Sequence, residues 1–317
     1  MLRRVKIGIR FLLFLSLVAF TIHVLDGVLM QKFMFNQSRP HTKTFEGFYD
    51  MEENTVDVLI LGNSNAASSI NPQDMYDRAM IRSYNLASSD QGMWITYYWL
   101  KEALKTQKPS VVLLECFGLF RDVSSNETRA RMGLDSMKTG DNKYDAAKTV
   151  VELDTVNRQS TVSYILPFIR YHERWKSLDE TDFRLPSFQS ETPMTKGFWF
   201  YHNIASVQEF QPIQELTDVE PAEAFPEALE YFVKIIELCQ QENIRLILYK
   251  TPLPAFREAH HALVDSYAQQ YNLPFYDFNT EALYNKTGFV YSKDMHDSIS
   301  TNAHPNPSGA RKISHFF

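Results

Sequence analysis

The fold of this chain is decided by one stretch, Val56-Asp57-Val58-Leu59-Ile60-Leu61-Gly62-Asn63-Ser64. Its apolar run, broken only by Asp57, is typical of a parallel strand that is covered on both faces. Ser64 follows this strand directly, and His304 lies far downstream. A serine hydroxyl becomes a useful nucleophile only when an imidazole within hydrogen-bond reach takes its proton, so this pair of residues indicates acyl chemistry.

Predicted strands and helices alternate over most of the chain after residue 55. Four more strands are predicted, at Ser83–Leu86, Val111–Cys116, Ile244–Tyr249 and Pro274–Phe278. The helices between them are predicted to begin at or near Pro72, Trp94, Pro226, Ala255 and Pro307. This alternation predicts an α/β fold, a flavodoxin-like three-layer sandwich with about five parallel strands. Ligands of such sheets lie beyond the carboxyl ends of the strands, so Ser64 borders the expected crevice.

One interval, from about 119 to 221, does not follow the alternation and is predicted to be a helical insertion. Its best helix candidate is Tyr164–Leu178. Two aromatic clusters lie in the insertion, at Tyr171–Trp175 and Phe198–His202. Such clusters either pack an insertion onto its domain, which is the commoner role, or line a substrate cleft.

The N-terminus predicts a membrane anchor. Four basic residues, Arg3, Arg4, Lys6 and Arg10, precede the apolar stretch Phe11–Met30, which is long enough to cross a bilayer. Basic residues on this flank favour a cytoplasmic N-terminus and an extracytoplasmic remainder. A cleaved signal peptide is the alternative, but no clear small-x-small cleavage site precedes residue 30. We therefore expect an uncleaved, single-pass anchor in the cell membrane.

The chain divides into three predicted parts: a tail and anchor at 1–30, a polar stalk at 31–54, and the α/β domain with its insertion at 55–317. The net charge of the whole chain is −6, and removing the four basic and one acidic residues of the first part leaves −9. This acidic balance argues against nucleic acid as a partner. Cys116 and Cys239 lie in apolar stretches and are predicted to be buried free thiols rather than a disulfide.

Three short motifs resemble those of the SGNH/GDSL hydrolase superfamily, especially its membrane-anchored bacterial members that act on cell-envelope polymers. Leu61–Pro72 is similar to the first block of that family, in which a Gly-x-Ser after the first strand precedes an Asn-Pro at a helix start. Tyr84-Asn85-Leu86 followed by Gly92 resembles the second block, and His304–Lys312 resembles the last one. The likeness covers about 56–317 apart from the insertion.

The resemblance implies roles for individual residues. Ser64 would attack an ester carbonyl while His304 accepts its proton, and backbone N–H groups would hold the oxyanion. The Ser64 N–H is one implied donor, and Ala87 or Ser88 would supply a second. Asn85 and Asn65 are the other two residues that we expect to bind the oxyanion or the substrate.

Two positions depart from the family pattern. The family usually has an aspartate three residues before the histidine, where this chain has Thr301, so Asp297 or Asp294 is expected to orient the imidazole. Many members have an asparagine donor after the third strand, where this chain has Glu115. Because a carboxylate would repel an oxyanion, either another group replaces that donor or activity is weak. The chain also stops within a predicted last helix, so the position of the histidine should depend on how that end docks.

Asp294, His296, Asp297 and His304 could also hold zinc or manganese, since carboxylate and imidazole suit these metals. They show no ligand spacing on a regular element, so no metal is predicted. The sequence contains no glycine-rich phosphate loop and no dinucleotide fingerprint, and no cofactor is predicted.

Two functions follow as hypotheses. The first is an extracytoplasmic serine esterase or O-acyltransferase that acts on acyl esters, above all acetyl esters, of surface polysaccharide or small molecules. The second is a catalytically silent SGNH-like module that binds glycan or assists a membrane-bound acyltransferase. The changes at Thr301 and Glu115 motivate the second hypothesis.

Overall fold

The computed structural model describes residues 2–31, 41–122, 126–154, 156–183, 195–205, 210–214, 216, 219–297 and 303–317. At its centre is a parallel sheet with the strand order β2-β1-β3-β4-β5. The strands are β1 (Val58–Leu61), β2 (Ser83–Asn85), β3 (Val111–Glu115), β4 (Arg245–Lys250) and β5 (Phe275–Asp277). The sheet and its flanking helices confirm the predicted α/β fold class, and the strand order is the flavodoxin-like one.

Helices surround the sheet. Those in the described residues are α1 (Leu2–Leu29), α2 (His41–Phe48), α3 (Ser64–Ser69), α4 (Pro72–Ala79), α5 (Met93–Ala103), α6 (Glu127–Leu134), α7 (Asp141–Leu153), α8 (Thr161–Ile165), α9 (Phe168–Tyr171), α10 (Pro226–Gln241), α11 (Glu258–Tyr271), α12 (Glu281–Thr287), α13 (Tyr291–Asp294) and α14 (Pro307–Ser314). Three 3₁₀ helices add to them, at Cys116–Phe120, His172–Lys176 and Glu180–Phe183.

All five strands occur where they were predicted, with ends that differ by one or two residues. Two helix starts also form as the sequence indicates. The Asn71 side chain accepts the Gln73 N–H at the start of α4, and the Asn306 side chain accepts the N–H groups of Ser308 and Gly309 at the start of α14. These caps satisfy backbone donors that have no partner within the helix.

Gly62 makes the turn from β1 into α3. Its φ of +141° lies in a region that side chains disfavour. A Cβ at this position would lie 2.8 Å from the Cβ of Glu115 on the neighbouring strand β3. Glycine therefore allows the turn that places Ser64 close to the carboxyl end of β3.

The expected stalk includes a helix that belongs to the main core. In α2, Phe45 and Phe48 are fully buried, and Phe45 stacks on Trp99 with ring centroids 4.4 Å apart. The Tyr84 hydroxyl donates to the Thr44 carbonyl at 2.7 Å and ties α2 to β2. The i, i+3 spacing of two aromatic residues gives α2 an apolar face that packs on the domain, so this part of 31–54 is not an irregular stalk.

The predicted helix over Tyr164–Leu178 is wrong. The structure has α8, α9 and a 3₁₀ helix there, and the break falls at Leu166-Pro167. Leu166 has φ −119° and ψ 83°, because the proline ring disfavours helical geometry in the residue before it. The longest helix of the described part of the insertion is α7 instead.

A buried cation holds the insertion together. The Arg131 guanidinium is 2% exposed, and it pairs with Glu127 at 2.7 Å and with Asp135 at 3.4 Å. Its planar group lies over the Tyr164 ring, 4.1 Å from the centroid. The Tyr171 hydroxyl donates to the Asp135 carboxylate at 2.9 Å, so this network also fixes Tyr171.

The first helix, α1, is exposed along most of its length and is the one helix of the described residues that is long and apolar enough to cross a membrane. Its candidate span covers Arg4–Leu29. Membrane anchors and signal sequences share these properties. Only the C-terminal end of the helix is buried, where Leu29 and Met30 pack against Tyr171.

The two cysteines are free and buried, as predicted. Burial raises the pKa of the Cys239 thiol to about 12 and that of the Cys116 thiol well above its usual range. Neither thiol is therefore a ready nucleophile, although Cys116 follows directly on β3.

Candidate active site

Ser64 is the first residue of α3 and lies directly beyond the carboxyl end of β1. Asn63 caps this helix, because its Oδ1 accepts the Asn65 N–H at 2.9 Å. Within the described residues the Ser64 N–H makes no hydrogen bond, and the residue is 7% exposed. The helix start therefore presents a hydroxyl and a free backbone donor next to each other.

His304 reaches this serine from the other end of the chain, 240 residues away in sequence. Its Nε2 lies 3.0 Å from the Ser64 Oγ, and the histidine is 3% exposed. The loop that carries it is fixed by a short bridge between Met295 and Pro305 and by the His296 N–H, which donates to the His304 carbonyl at 2.8 Å. The separation of 3.0 Å is a hydrogen-bond distance, so the imidazole can take the hydroxyl proton.

Asp297 supplies a carboxylate to the same imidazole. Its Oδ2 lies 3.2 Å from the His304 Nδ1, and its Oδ1 accepts the His304 backbone N–H at 2.7 Å. The two contacts hold both the ring and the backbone of the histidine. Thr301, the position at which the family usually has aspartate, lies outside the described residues.

Asp294, the other carboxylate considered for this role, has different partners. It accepts from the Ser308 hydroxyl at 2.6 Å and from the Lys312 ammonium at 2.7 Å, and it is 1% exposed. These contacts join α13 to α14. Asp294 therefore joins the last helix to α13, while Asp297 is the carboxylate that contacts the imidazole.

A tyrosine that the sequence did not assign to the site covers the imidazole. Tyr201 stacks on His304, with ring centroids 4.4 Å apart and ring planes within 7° of each other. Its signal in the sequence was the cluster Phe198–His202, for which packing and cleft lining were both considered. The cluster packs the insertion, since Phe198 and Trp199 are buried, and it also brings an aromatic ring to the site.

Backbone contacts dock the end of the insertion beside the site. The Asn85 N–H donates to the Lys196 carbonyl at 3.0 Å, and the Trp199 N–H donates to the Ala67 carbonyl at 2.8 Å. Gly197 has a φ of +87°, and a Cβ there would lie 1.9 Å from the Asn85 carbonyl oxygen. Glycine thus allows the close approach that lets Tyr201 reach the site.

Two of the expected oxyanion residues are occupied by other contacts. The Ala87 N–H donates to the Asn85 Oδ1 at 3.1 Å, and the Asn85 Nδ2 donates to the Ala66 carbonyl at 2.8 Å. Asn85 and Ala87 therefore tie the loop after β2 to α3 and are not free donors, which corrects the expectation. The Ser88 N–H makes no hydrogen bond within the described residues and remains available.

Glu115 is held in a buried ion pair. Its Oε1 lies 2.5 Å from the Lys250 ammonium, both side chains are 0% exposed, and its Oε2 accepts the Phe117 N–H at 3.0 Å. The ammonium comes from the neighbouring strand β4 and offsets the carboxylate charge. The expected repulsion of an oxyanion is thereby reduced, although Glu115 offers no amide donor in place of asparagine.

The ion pair connects to the serine turn. The Lys250 ammonium donates to the Thr251 hydroxyl at 3.1 Å, and that hydroxyl donates to the Asn65 Oδ1 at 3.4 Å. The Asn65 Nδ2 donates to the Asn63 Oδ1 at 3.2 Å. Asn65 thus supports the turn that carries the serine, whereas the sequence suggested an oxyanion or binding role.

The alternative of a metal site finds no support in the geometry. His296 accepts the Asn203 N–H through its Nδ1 at 3.0 Å. Across the described ranges, no three His, Cys, Asp or Glu side chains are grouped so that they could hold a metal ion. A hydroxyl, an imidazole and a carboxylate in series are instead the groups that perform serine-dependent acyl transfer.

Comparison with known proteins does not assign a family. No family model matches the chain, and no curated protein is similar to it. Among solved structures, the chain is similar to a predicted acylhydrolase from Bacteroides fragilis NCTC 9343, with 12% identity and a TM-score of 0.35 over 81% of this chain and 82% of that one. It is also similar to a gut microbial diltiazem-metabolizing enzyme, with 13% identity and a TM-score of 0.28 over 84% of this chain and 48% of that one. TM-scores this low carry no conclusion about this chain.

Proposed function

We propose that this chain is a membrane-anchored serine esterase or O-acyltransferase of the SGNH type, with its catalytic domain outside the cytoplasm. One observation carries the proposal: the Ser64 Oγ lies 3.0 Å from the His304 Nε2, whose ring partner is Asp297. These three groups form a hydrogen-bonded series of a nucleophile, a general base and an orienting carboxylate.

The reaction follows from these positions. Ser64 Oγ attacks the ester carbonyl carbon while His304 Nε2 takes the hydroxyl proton. The free N–H groups of Ser64 and Ser88 are the donors for the negative oxygen that forms. The bond to the alcohol then breaks, His304 returns the proton to that alcohol, and the acyl group stays on Ser64. Water or an acceptor hydroxyl, deprotonated by His304, removes the acyl group and gives an acid or a new ester.

The substrate class rests on the burial of the site and on the anchor. Ser64 and His304 are nearly buried, which favours a short acyl group such as acetyl. An anchored domain outside the cytoplasm would meet the glycopolymers of the cell surface. The likeness of the Leu61–Pro72 and His304–Lys312 motifs to envelope enzymes supports the same substrate.

An active-site probe tests the nucleophile. A fluorophosphonate should label the purified full chain, and Ser64→Ala should abolish the label because the probe reacts only with an activated hydroxyl. Ser89→Ala is the matched control, since Ser89 is a partly exposed serine next to Ser88 and should not affect labelling. Labelling that persists in Ser64→Ala would exclude Ser64 as the nucleophile.

A second candidate function is a silent SGNH-like module that binds glycan or assists a membrane-bound acyltransferase. Glu115 favours it, because a carboxylate in an ion pair stands where the family often has an amide donor. This candidate predicts no labelling of Ser64 together with measurable binding of surface glycan.

A further inference from the structure

We propose that part of the insertion rests on the bilayer that holds α1, so that the domain has a second membrane contact besides its anchor. This part, which we call the platform, comprises residues 168–183, namely α9 and the two 3₁₀ helices that follow it. The inference deepens the proposed function, because it depends on α1 being a membrane anchor.

The platform is attached to the end of α1 by polar contacts. The Asp26 Oδ1 accepts the Phe168 N–H at 2.8 Å. The Arg174 guanidinium donates to the carbonyls of Leu29 and Met30, each at 2.8 Å. These carbonyls lie at the C-terminal end of α1, where Arg174 caps the helix. Cleavage at the end of α1 would remove all of these contacts, which favours an anchor that is retained.

The length of α1 places the platform at the membrane surface. About 20 residues cross the hydrocarbon layer. Counted from Arg10, the last basic residue of the N-terminal flank, this length ends near Met30. Arg174 binds the carbonyl of Met30, so it lies at the depth of the lipid headgroups when α1 spans the bilayer. Phe168 binds Asp26, about one helical turn before Met30, so the platform begins at the edge of the hydrocarbon layer and continues at the depth of the headgroups.

The exposed side chains of the platform suit this position. Ile169, Trp175 and Phe183 are 38%, 66% and 63% exposed, and each belongs to one of the three short helices that contact α1. Lipid that surrounds the end of α1 can also cover these side chains, and the transfer of their apolar surface out of water is favourable. Tryptophan is typical of the membrane–water boundary, and Lys176 beside it has an exposed side chain whose charge suits lipid phosphate.

The four tryptophans make this contact measurable. Trp94, Trp99 and Trp199 are buried, and only Trp175 is exposed. The full chain is reconstituted into phosphatidylcholine vesicles that contain lipid with a nitroxide at the headgroup or at a shallow acyl position. The difference in emission between wild type and Trp175→Phe isolates Trp175. We expect loss of most of the Trp175 emission with the shallow nitroxides and little loss with a nitroxide at the bilayer centre.

A matched control uses an exposed position away from the platform. Tyr76 is 40% exposed on α4, which packs on β2 and α14. A tryptophan introduced as Tyr76→Trp in the Trp175→Phe background should keep its emission in the same vesicles. Equal quenching at both positions would contradict a specific contact.

Flotation separates failure of the platform from failure of the anchor. If the mature chain lacks residues 1–30 or does not float with the vesicles, the anchor and the platform both fail, while fluorophosphonate labelling still reports on the catalytic proposal. If the chain floats and Trp175 is quenched by iodide in water but not by lipid nitroxides, the platform alone is overturned. Protection of Trp175 from both quenchers would also overturn it, because a protein partner would then cover this surface.

Discussion

At the residue scale, the site depends on how His304 is held. Asp297 contacts both its ring and its backbone, and Tyr201 lies flat on the imidazole. Ser64 and His304 could be named from the sequence because each belongs to a short motif that resembles a block of the SGNH/GDSL superfamily. Tyr201 could not be named as a site residue, because only the docking of the insertion brings it to the histidine.

Replacing Asp297 tests the orientation of the imidazole. Asp297→Asn keeps the shape of the side chain but favours the wrong tautomer of His304, and we expect kcat to fall by about 10²–10⁴. The measurement is the hydrolysis rate of a simple ester. Asp294→Asn is the control, because it should lower the unfolding temperature through α14 while the folded protein keeps most of its rate. The opposite pattern would assign the orienting role to Asp294.

Replacing Tyr201 tests the stacked ring. Tyr201→Leu removes an aromatic contact of about 0.5–1.5 kcal/mol, and we expect kcat/KM to fall about two- to tenfold. Tyr201→Phe keeps the ring and should restore most of the rate. An unchanged rate in Tyr201→Leu, with an unchanged unfolding temperature, would show that the ring does not position His304.

At the element scale, most of the fold follows from local pattern. The apolar runs of the five strands and the Asn-Pro starts of α4 and α14 are local signals, and they formed where predicted. The helix predicted over Tyr164–Leu178 does not form as one helix, because Pro167 disfavours helical geometry at Leu166. The ion pair between Glu115 and Lys250 joins β3 to β4 across 135 residues of sequence, so no local pattern could reveal it.

The ion pair between β3 and β4 predicts a clear pattern in a double-mutant cycle. Lys250→Met leaves the Glu115 carboxyl buried without its partner and should lower the free energy of unfolding by about 3–5 kcal/mol. Glu115→Gln in the Lys250→Met background should recover most of this loss. Lys234→Met, at a partly exposed lysine of α10, is the control and should have little effect. The measurement is unfolding in detergent, and additive losses would contradict a direct pair.

The ion pair between Asp57 and Arg82, which precede β1 and β2, predicts that stability depends on pH. The hydrogen bonds from the Arg82 guanidinium hold the pKa of Asp57 below its usual range. A lowered folded pKa gives stability that is present above the ordinary aspartate pKa of about 3.9 and is lost as the pH falls through the folded value. Asp57→Asn should therefore lower the unfolding temperature at neutral pH, and its difference from wild type should vanish in acid. The control is Asp265→Asn, at a partly exposed aspartate of α11, which should leave the dependence of the unfolding temperature on pH unchanged. A difference between Asp57→Asn and wild type that stays constant from neutral pH to acid would contradict a stabilising ion pair.

At the scale of the whole molecule, two segments that are far apart in the sequence meet beyond the carboxyl ends of the strands. The strand order puts the turn after β1 beside the carboxyl end of β3, and α14 packs on α3, so the loop before α14 carries His304 to Ser64. Strand alternation in the sequence predicted the position of Ser64, and the resemblance of the His304–Lys312 motif to the SGNH/GDSL superfamily implied that His304 would meet it there. The insertion also contacts the imidazole through Tyr201 and the end of α1 through Arg174. These contacts arise from long-range packing, so no local sequence pattern predicts them.

The central claim is that Ser64, activated by His304, forms a working catalytic site. Turnover of p-nitrophenyl acetate by the full chain in detergent, compared with Ser64→Ala, tests it most directly. We expect steady turnover in the wild type and a rate no higher than the uncatalysed background in Ser64→Ala. Equal rates in the two proteins, or no turnover in a folded wild type, would contradict the claim.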